Sequence, residues 1–442
     1  MTSERLIKPW KPGPQRTYVF KNARLVDTVN GTILPNRTVK ISGGIIQSVS
    51  ITEDEYYIIQ SSNETTIDLK GKYLCPGLFD NHVHLWAVPG EGTLGGMYQL
   101  DNEVVMSRQP FVCQQMLRRG FTSVRDCGGA TLALKQAIED GVIQGPRLFI
   151  AGHALSQTGG HGDSRGPHNH SECCGPVALG WVCDGVPACI KAAREELRTG
   201  ADFIKIMSGG GVASPTDKLE NVQFTGEEVR AITEVARNAN TYVTAHAYTP
   251  RSIRHAVDNG VSGIEHGNFI DAETARYMAE RDVFLTPTLI TYSAMASPEF
   301  PGFLPIESET KNEQVLKLGL RSLQIASDAG VTICFGTDLL GPMGVVQTKE
   351  FALRAQVLSK KAVLQSATIN PARRAGLSDF LGQVKEGFAA DLLILNENPL
   401  HDISIFDKPE THMLAVIKDG RIFHSRWSKL PQDALPEEPK IE

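Results

Sequence analysis

The stretch Leu74-Cys-Pro-Gly-Leu-Phe-Asp-Asn-His-Val-His-Leu85 decides how the rest of the chain is interpreted. Its apolar run predicts a short buried strand that carries His82 and His84 at its carboxyl end. Residues two apart on an extended backbone point to the same face, so both imidazoles can bind one metal ion. Imidazole suits zinc and related cations. Because an isolated His-x-His also occurs by chance, the interpretation depends on the residues further along the chain.

The composition is that of an ordinary globular protein. The chain has 442 residues, of which 41% are hydrophobic and 21% charged, enough for a barrel and a smaller second domain. A net charge of -6 disfavours nucleic acid or an anionic membrane surface as a partner, and no apolar run is long enough to predict a membrane span. The 8 cysteines do not suggest a disulfide scaffold. The first residues lack the apolar segment of a signal peptide, so we expect a cytoplasmic protein.

Short strand-like segments occur at both ends of the chain, separated by Gly and Asn turns. Neither set makes a full sheet alone, so we expect residues 1–73 and 385–442 to form one composite β-sandwich domain with loose ends. The segments are Tyr18–Leu25, Arg37–Ile41, Ile45–Ser50, Thr66–Leu69, Asp391–Leu395, Met413–Lys418 and Arg421–His424.

Between these ends, over residues 74–384, apolar strand-like runs alternate with amphipathic helical segments. Such alternation predicts an α/β fold, and eight repeats suggest a TIM-type (β/α)8 barrel, whose active site lies at the carboxyl ends of the strands. Gly200, Gly260 and Gly330 stand where helices should end. The predicted strands are Leu74–His84, Thr122–Asp126, Leu148–His153, Phe203–Met207, Tyr242–Tyr248, Gly263–His266, Phe284–Ile290 and Thr332–Asp338, and the predicted helices include Glu227–Asn238, Pro250–Asn259, Ala272–Arg281 and Gln314–Ala329.

Polar residues lie at the ends of several of these runs. In a barrel they would converge on one mouth, where polar residues are usually catalytic. Each also has a structural interpretation: a buried lysine can pair with a carboxylate, a histidine can be hydrogen-bonded in the core, and an aspartate can cap a helix. Their joint placement favours an active site. The residues are His82, His84, Lys205, His246, Tyr248, His266 and Asp338.

Lys205 lies inside the otherwise apolar run Phe-Ile-Lys-Ile-Met. Burial lowers the pKa of a lysine, and the neutral amine is nucleophilic. Addition of CO2 would give a carbamate, an anion whose two oxygens can bridge two cations. This chemistry explains a lysine where a carboxylate would be expected.

The combined set resembles the binuclear, metal-dependent amidohydrolase superfamily, including its carboxylated bridging lysine. The split terminal β-domain is typical of the same superfamily. Further motifs are similar to it, and some resemble more narrowly the branch that contains ochratoxinase and prolidase-like (Xaa-Pro type) metal dipeptidases. The motifs are Ala154-Leu-Ser-Gln-Thr-Gly-Gly-His-Gly-Asp163, Ile204-Lys-Ile-Met-Ser-Gly-Gly-Gly211, Ala367-Thr-Ile-Asn-Pro-Ala372 and Gly382-Gln-Val-Lys-Glu-Gly-Phe-Ala-Ala-Asp391.

This resemblance implies two divalent metal ions, most commonly zinc, and homo-oligomeric assembly. It assigns His82, His84 and Asp338 to one ion, His246 and His266 to the other, and a carbamate on Lys205 as the bridge. A hydroxide between the two ions would attack the scissile carbonyl. Asp338 would move the proton from the hydroxide to the departing nitrogen, Tyr248 would donate to the oxyanion, and His161 resembles the second contact to the carbonyl.

Three functions are compatible with this set of residues. The first is hydrolysis of the exocyclic amide of a dipeptide or N-acyl amino acid, with ochratoxin-like amides included. The second is opening of a cyclic amide or imide, as in imidazolonepropionase-like relatives. The third is a non-catalytic binding protein, which is disfavoured because all six candidate ligands are present. Tyr248 resembles the dipeptidases, whereas ochratoxinase has a histidine there, which weakens the case for ochratoxin itself.

The segment 161–189 predicts a lid-like loop rich in His and Cys. Cys and His also bind structural zinc, but the paired Cys spacing of such sites is absent, which favours a lid that shapes the substrate pocket. The glycines after Ser208 are expected to let the backbone approach the metal site closely.

Overall fold

A computed structural model of the chain describes residues 7–52, 64–171, 175–430 and 432–434. Its strands are β1 (Thr17–Asp27), β2 (Thr32–Ser42), β3 (Ile45–Ile51), β4 (Glu64–Asp68), β5 (Tyr73–Pro76), β6 (Leu78–Val83), β7 (Phe121–Asp126), β8 (Arg147–Ile150), β9 (Ala154–Ser156), β10 (Gly175–Val177), β11 (Gly180–Val182), β12 (Ile204–Met207), β13 (Val243–Ala247), β14 (Gly263–His266), β15 (Phe284–Thr286), β16 (Leu392–Leu395), β17 (Met413–Lys418) and β18 (Arg421–Ser425). Its α-helices are α1 (Leu94–Met97), α2 (Asn102–Arg118), α3 (Leu132–Glu139), α4 (Val186–Arg198), α5 (Gly226–Asn238), α6 (Pro250–Asp258), α7 (Ala272–Glu280), α8 (Leu289–Met295), α9 (Ile306–Asp328), α10 (Lys349–Arg354), α11 (Lys360–Ser366), α12 (Ile369–Arg374) and α13 (Pro409–His412), and 3-10 helices span Gly341–Val346 and Ile403–Asp407. Among the described ranges, no helix combines the length and the apolar character that crossing a bilayer requires.

Strands from both ends of the chain share one eight-stranded sheet. Its order is β18-β17-β16-β5-β1-β2-β3, with β4 beside β1. The antiparallel pairing of β16 with β5 brings the two ends of the chain together. Tyr18 and Phe20 from one end and Leu392 and Ile417 from the other are buried in the same core. Because this core takes side chains from both ends, it forms only when the ends meet.

The central segment forms two sheets that are connected at their margins. One contains β6, β7 and β8, and the other runs in the order β10-β11-β9-β12-β13-β14-β15. Apart from the antiparallel β10–β11 pair, neighbouring strands of both sheets are parallel, so their carboxyl ends share an edge. At one margin the amide of Asp202 donates to the carbonyl of Ile150 at 2.7 Å. At the other, the amide of Asn81 donates to the carbonyl of Phe335 at 2.7 Å, and that of Cys334 donates to Leu285 at 2.8 Å.

The helix ends follow the local sequence signals. Thr225 caps α5 in a capping box with Glu228, which satisfies two amides that have no partner within the helix. Gly200, Gly260 and Gly330 follow helices with φ of 98°, 97° and 80°, as predicted. Glycine adopts this left-handed conformation without steric cost, and so it ends each helix.

The stretch 74–85 forms two strands, and the prediction of a single strand over Leu74–His84 is wrong. β5 belongs to the terminal sheet, where it pairs with β16 and β1, and β6 begins the central segment. Pro76 has no amide hydrogen to donate, and the Gly77 amide turns to the carbonyl of Asp391 at 2.8 Å. The backbone therefore changes sheets at Pro76-Gly77.

The predicted strand Phe284–Ile290 is also too long. β15 ends at Thr286, Pro287 follows, and α8 begins at Leu289. Proline cannot donate a ladder hydrogen bond, which explains why pairing stops there.

The last predicted strand, Thr332–Asp338, has a single bridge between Leu285 and Ile333 and no strand of its own. The amides of Thr337 and Asp338 both approach the carbonyl of His82, at 3.3 and 2.8 Å, so the regular ladder is lost. The helix predicted over Gln314–Ala329 is longer than expected, since α9 begins at Ile306.

The predicted lid over residues 161–189 is partly regular structure. It contains the β10–β11 hairpin and the start of α4, and β11 pairs with β9. His168 and His170 are exposed, Cys183 and Cys189 are buried, and Cys173 and Cys174 lie outside the described residues. Within the described part of this segment, no group of three metal-binding side chains comes together.

Candidate metal centre

The predicted site residues converge on one cavity. They reach it from β6, the loop after β9, β12, β13, β14 and the segment after Ile333, which lie far apart in sequence. Apolar and tyrosine side chains form much of the remaining wall. The predicted residues that line the cavity are His82, His84, His161, Lys205, His246, Tyr248, His266 and Asp338.

His82, His84 and Asp338 form a compact group of donors. One ligand atom from each lies within 4.8 Å of the others. The Nε2 atoms of His82 and His84 are 3.5 and 3.2 Å from Oδ1 of Asp338. The opposite nitrogen of each ring is already engaged: Nδ1 of His82 contacts Glu265 at 2.7 Å, and Nδ1 of His84 contacts the carbonyl of Gly128 at 2.8 Å. These contacts orient both Nε2 atoms toward Asp338, which fits a divalent cation bound by two imidazoles and a carboxylate.

His246 and His266 form a second group beside the first. Their ring centroids are 4.5 Å apart, and the His266 ring is 5.0 Å from that of His82. Nε2 of His246 contacts the carbonyl of Gly210 at 3.1 Å, and Nδ1 of His266 contacts Oγ1 of Thr288 at 2.8 Å. One nitrogen of each ring is thus left for a cation. The donor chemistry of this pair also fits zinc or a similar ion.

The backbone is strained at two of these residues. His266 has φ of 73° and Asp338 has φ of 51°. Residues with a Cβ seldom adopt this left-handed conformation, and such outliers are often found at functional sites. The conformation lets each side chain leave its segment toward the cavity.

Although burial alone would lower the pKa of His84, its hydrogen bond to Asp338 and the charge of Asp338 raise it. Burial keeps His82, His246 and His266 neutral, as metal binding requires. It lowers the pKa of His82 to about 4, and it holds the pKa values of His246 and His266 well below the usual range. Burial alone would raise the pKa of Asp338, but His82 and His84 hold it at about 2. Neutral imidazoles and an ionised carboxylate are the forms that bind cations.

Lys205, on β12, lines the same cavity as the two groups. Its side chain is fully buried, with 1% exposed, and burial lowers its pKa. Among the described residues, no hydrogen bond or ion pair involves its ammonium group. A buried ammonium without a partner is costly, so a structural ion pair does not explain this lysine.

The sequence analysis did not identify the buried residues that lie behind the group of His82, His84 and Asp338. Glu265 is fully buried and contacts His82, Arg125 and Thr244. Arg125, from β7, also donates from Nε to the carbonyl of Asn81 at 2.7 Å. Glu265 therefore orients His82 rather than its sequence neighbour His266. No local pattern signals this pairing, because it joins residues 183 positions apart.

Tyr248 and a second tyrosine, Tyr292, form a hydrogen-bonded chain to His266. The hydroxyls of Tyr248 and Tyr292 are 2.9 Å apart, and that of Tyr292 lies 3.0 Å from Nδ1 of His266. Burial raises the pKa of both tyrosines, so both hydroxyls are protonated donors. Tyr292 lies in α8 just past the predicted strand Phe284–Ile290. The only signal for Tyr292 in the sequence is its position just past the end of that predicted strand.

His161 packs against the second group. Its ring centroid is 4.1 Å from that of His246, and its Nδ1 is 2.8 Å from Oγ of Ser214. A Cβ on Gly211 would lie 2.0 Å from Nδ1 of His161. The close approach expected of the glycines after Ser208 is therefore confirmed at Gly211.

The profile of the Amidohydrolase family matches residues 73–423. The chain belongs to the amidohydrolase family. It is 31% identical to ochratoxinase of Aspergillus niger over 422 residues, which cover 89% of this chain and 84% of the relative.

Solved structures agree with this assignment. A crystal structure of an amidohydrolase superimposes with a TM-score of 0.88 at 45% identity and covers 93% of this chain and 99% of that one. A prolidase complexed with N-methylphosphonate-L-proline gives a TM-score of 0.87 at 41% identity and covers 93% and 100%. The amidohydrolase described here thus belongs to the branch with ochratoxinase and prolidase-like dipeptidases, and it is a hydrolase that acts on C–N amide bonds.

Proposed function

We propose that this amidohydrolase cleaves the exocyclic amide of a dipeptide or an N-acyl amino acid, ochratoxin-like amides included, at a binuclear metal centre. The observation that carries the proposal is the convergence of six candidate ligands on one cavity with an apolar and tyrosine-lined wall. His82, His84 and Asp338 would hold one ion, and His246 and His266 the other. The similarity to a prolidase complexed with N-methylphosphonate-L-proline supports a dipeptide-like substrate.

The bound cations would polarise the scissile carbonyl and lower the pKa of water in the site. Asp338 accepts a proton from the attacking water and delivers it to the departing nitrogen, so that a C–O bond forms as the C–N bond breaks. Tyr248 donates a hydrogen bond to the developing oxyanion. Tyr292 lies between Tyr248 and His266 and holds the Tyr248 hydroxyl in place.

Lys205 is proposed to carry a carbamate that bridges the two ions. The neutral amine attacks CO2, an N–C bond forms and one proton is released. Full burial, a lowered pKa and the lack of a partner among the described side chains support this assignment. A neutral buried lysine is nucleophilic, and its amine has no partner among the described residues to offset the free-energy cost of burial. The carbamate would remove this cost when cations are present, because the cations would pair with its negative charge.

We also propose that residues 74–384 form a (β/α)8 barrel and that residues 1–73 and 385–442 form the composite β-sandwich domain. The hydrogen bonds that connect the two central sheets at both margins support the barrel. Pairing of β16 with β5 supports the composite domain. A barrel places every candidate ligand at the carboxyl edge of its strands, where the active sites of this architecture lie.

A mass-spectrometric hydrolysis screen tests the proposed function. Zinc-loaded protein would be offered Xaa-Pro and other dipeptides, N-acyl amino acids, ochratoxin A and cyclic amides, with Asp338→Asn as the control. We expect release of a free amino acid from a linear amide, its loss in the variant, and two metal ions per chain by elemental analysis. Ring opening without linear cleavage would instead support the imidazolonepropionase-like alternative. Metal-loaded protein that is inactive on every substrate offered would contradict the proposed substrate class.

A further inference from the structure

Helix α8 begins without the side-chain cap that its sequence offers. Thr288 precedes the helix, and threonine in this position usually accepts a hydrogen bond from an amide of the first turn. Within this described segment no such bond forms, and Oγ1 of Thr288 instead lies 2.8 Å from Nδ1 of His266. Tyr292, in the first turn of α8, contacts the same nitrogen at 3.0 Å. The hydroxyl of Thr288 therefore orients a ring of the candidate metal centre instead of capping the helix.

Glu350, from α10, supplies the acceptor that the first turn of α8 lacks. Its Oε2 accepts a hydrogen bond from the amide of Ile290 at 2.7 Å. Its side chain is fully buried. A carboxylate is favoured at this end of a helix, because the first amides carry partial positive charge. Since Glu350 lies 60 positions beyond Ile290, no local capping signal in the sequence predicts this contact.

Arg354, one turn further along α10, holds Glu350 in place. Its Nε donates to Oε1 of Glu350 at 2.7 Å, and both side chains are fully buried. Its Nη2 donates to the carbonyl of Pro287 at 2.6 Å, and its Nη1 donates to that of Cys334 at 2.9 Å. These carbonyls belong to the segment that leads into α8 and to the segment that leads to Asp338. The ion pair thus connects α8 to a second part of the candidate site.

We propose that Glu350 is a positioning residue for the second metal-binding group: by capping α8 in place of Thr288, it leaves the Thr288 hydroxyl to orient His266. This role rests on the proposed binuclear centre. Glu350 and Thr288 are absent from the described lining of the cavity, so both act on the site through His266. A threonine side chain occupies one rotamer at a time, and the rotamer that reaches His266 does not cap the helix. Without Glu350, the unpaired amide of Ile290 would draw the Thr288 hydroxyl away from His266.

Crystal structures of metal-free protein test the position of the Thr288 hydroxyl, whatever the reaction is. The variant is Glu350→Leu combined with Arg354→Met, because a buried ion pair is better tolerated when both members are replaced by apolar groups. We expect Oγ1 of Thr288 to lie within hydrogen-bond distance of the Ile290 amide in this variant. Arg354→Met alone is the matched control, since a carboxyl group, ionised or not, still accepts from that amide and should leave Thr288 on His266. A Thr288 hydroxyl that stays on His266 in the double variant would overturn the proposal.

Metal affinity tests the consequence at His266 and needs no variant of the ion pair. In titrations of zinc against a competing chelator, Thr288→Val should weaken one of two binding steps roughly 10- to 100-fold, and Thr288→Ser should restore it. Thr291→Val is the matched control, because its buried hydroxyl has no partner among the described residues. Wild-type affinity in Thr288→Val would overturn the proposal.

A double-mutant cycle then connects the two residues. Added to the variant that lacks the ion pair, Thr288→Val should cause no further loss of affinity, because the hydroxyl has already left His266. Losses that add would show that Glu350 and Thr288 act independently, against the proposal. If the wild-type protein binds a single ion, the binuclear centre of the proposed function fails, and the crystallographic comparison alone decides where the Thr288 hydroxyl lies.

Discussion

Replacing Lys205 with Met should abolish metal binding without destabilising the metal-free protein. Lys205 is 1% exposed and burial lowers its pKa, so folding must bury an ammonium or release its proton. Met keeps a similar length and carries no charge. Glu265 would not lose its partners, because it still contacts Arg125, Thr244 and His82.

The expected change in the free energy of unfolding follows from the cost of burying a charged group. Each buried ion loses several kcal/mol of hydration, and replacing buried ionic groups by apolar ones of similar volume is often neutral or stabilising by about 1–4 kcal/mol. We therefore expect the free energy of unfolding of the metal-free Lys205→Met protein to equal the wild-type value or to exceed it by up to about 4 kcal/mol. Binding of two ions should be lost, because the bridging group is gone.

The assay is urea unfolding of chelator-treated protein followed by circular dichroism, with metal content measured separately by elemental analysis. Lys311→Met is the matched control, since that lysine donates to three carbonyls at 3.1, 3.0 and 2.8 Å. Its loss leaves these groups unpaired and should cost about 1–3 kcal/mol. If Lys205→Met destabilises the metal-free protein as much as Lys311→Met does, Lys205 is a structural ion-pair partner and the carbamate argument fails.

Three further substitutions test residues that hold the side chains of the candidate site in place. Glu265→Gln leaves buried Arg125 without its carboxylate and should lower the free energy of unfolding by about 3–5 kcal/mol in chemical denaturation; a loss below about 1 kcal/mol would contradict the ion-pair argument. Tyr292→Phe removes the hydroxyl that links Tyr248 to His266 and should lower kcat by roughly 10-fold with little change in KM or thermal stability; a change confined to KM would contradict this role. Gly211→Ala would place a Cβ 2.0 Å from the His161 ring, so kcat/KM should fall, whereas Gly344→Ala, with no atom within 4 Å of its added Cβ, should behave as wild type. Equal activity of the two alanine variants would show that His161 can move aside at no cost.

Much of the fold could be predicted because its signals are local. The helices after β12, β13 and β14 follow their apolar periodicity, and the residue two positions past the end of each helix has a positive φ: Asn240, Gly260 and Asp282. The errors occur where prolines or long-range hydrogen bonds override an apolar run. Pro76-Gly77 divides the first predicted strand between two sheets, Pro287 ends β15, and the segment ending at Asp338 bonds to His82 instead of continuing a ladder.

The residues that form the candidate site could be predicted from their order in the chain and from their identity. The candidate ligands other than Lys205 stand at or near the carboxyl end of an apolar run, and parallel strands bring such ends to one edge. Lys205 lies within its run. That inference needs only the period of the pattern and the identity of the residue, and the structure places all of these side chains around one cavity.

The orientation of those side chains depends on tertiary contacts that the sequence does not reveal. Glu265 holds His82, Tyr292 connects Tyr248 to His266, and Ser214 contacts Nδ1 of His161. These partners come from different segments and have no fixed spacing to the residues they position. A hydrogen bond depends on the distance and angle between two groups in space, and chain order constrains neither once the segments are far apart.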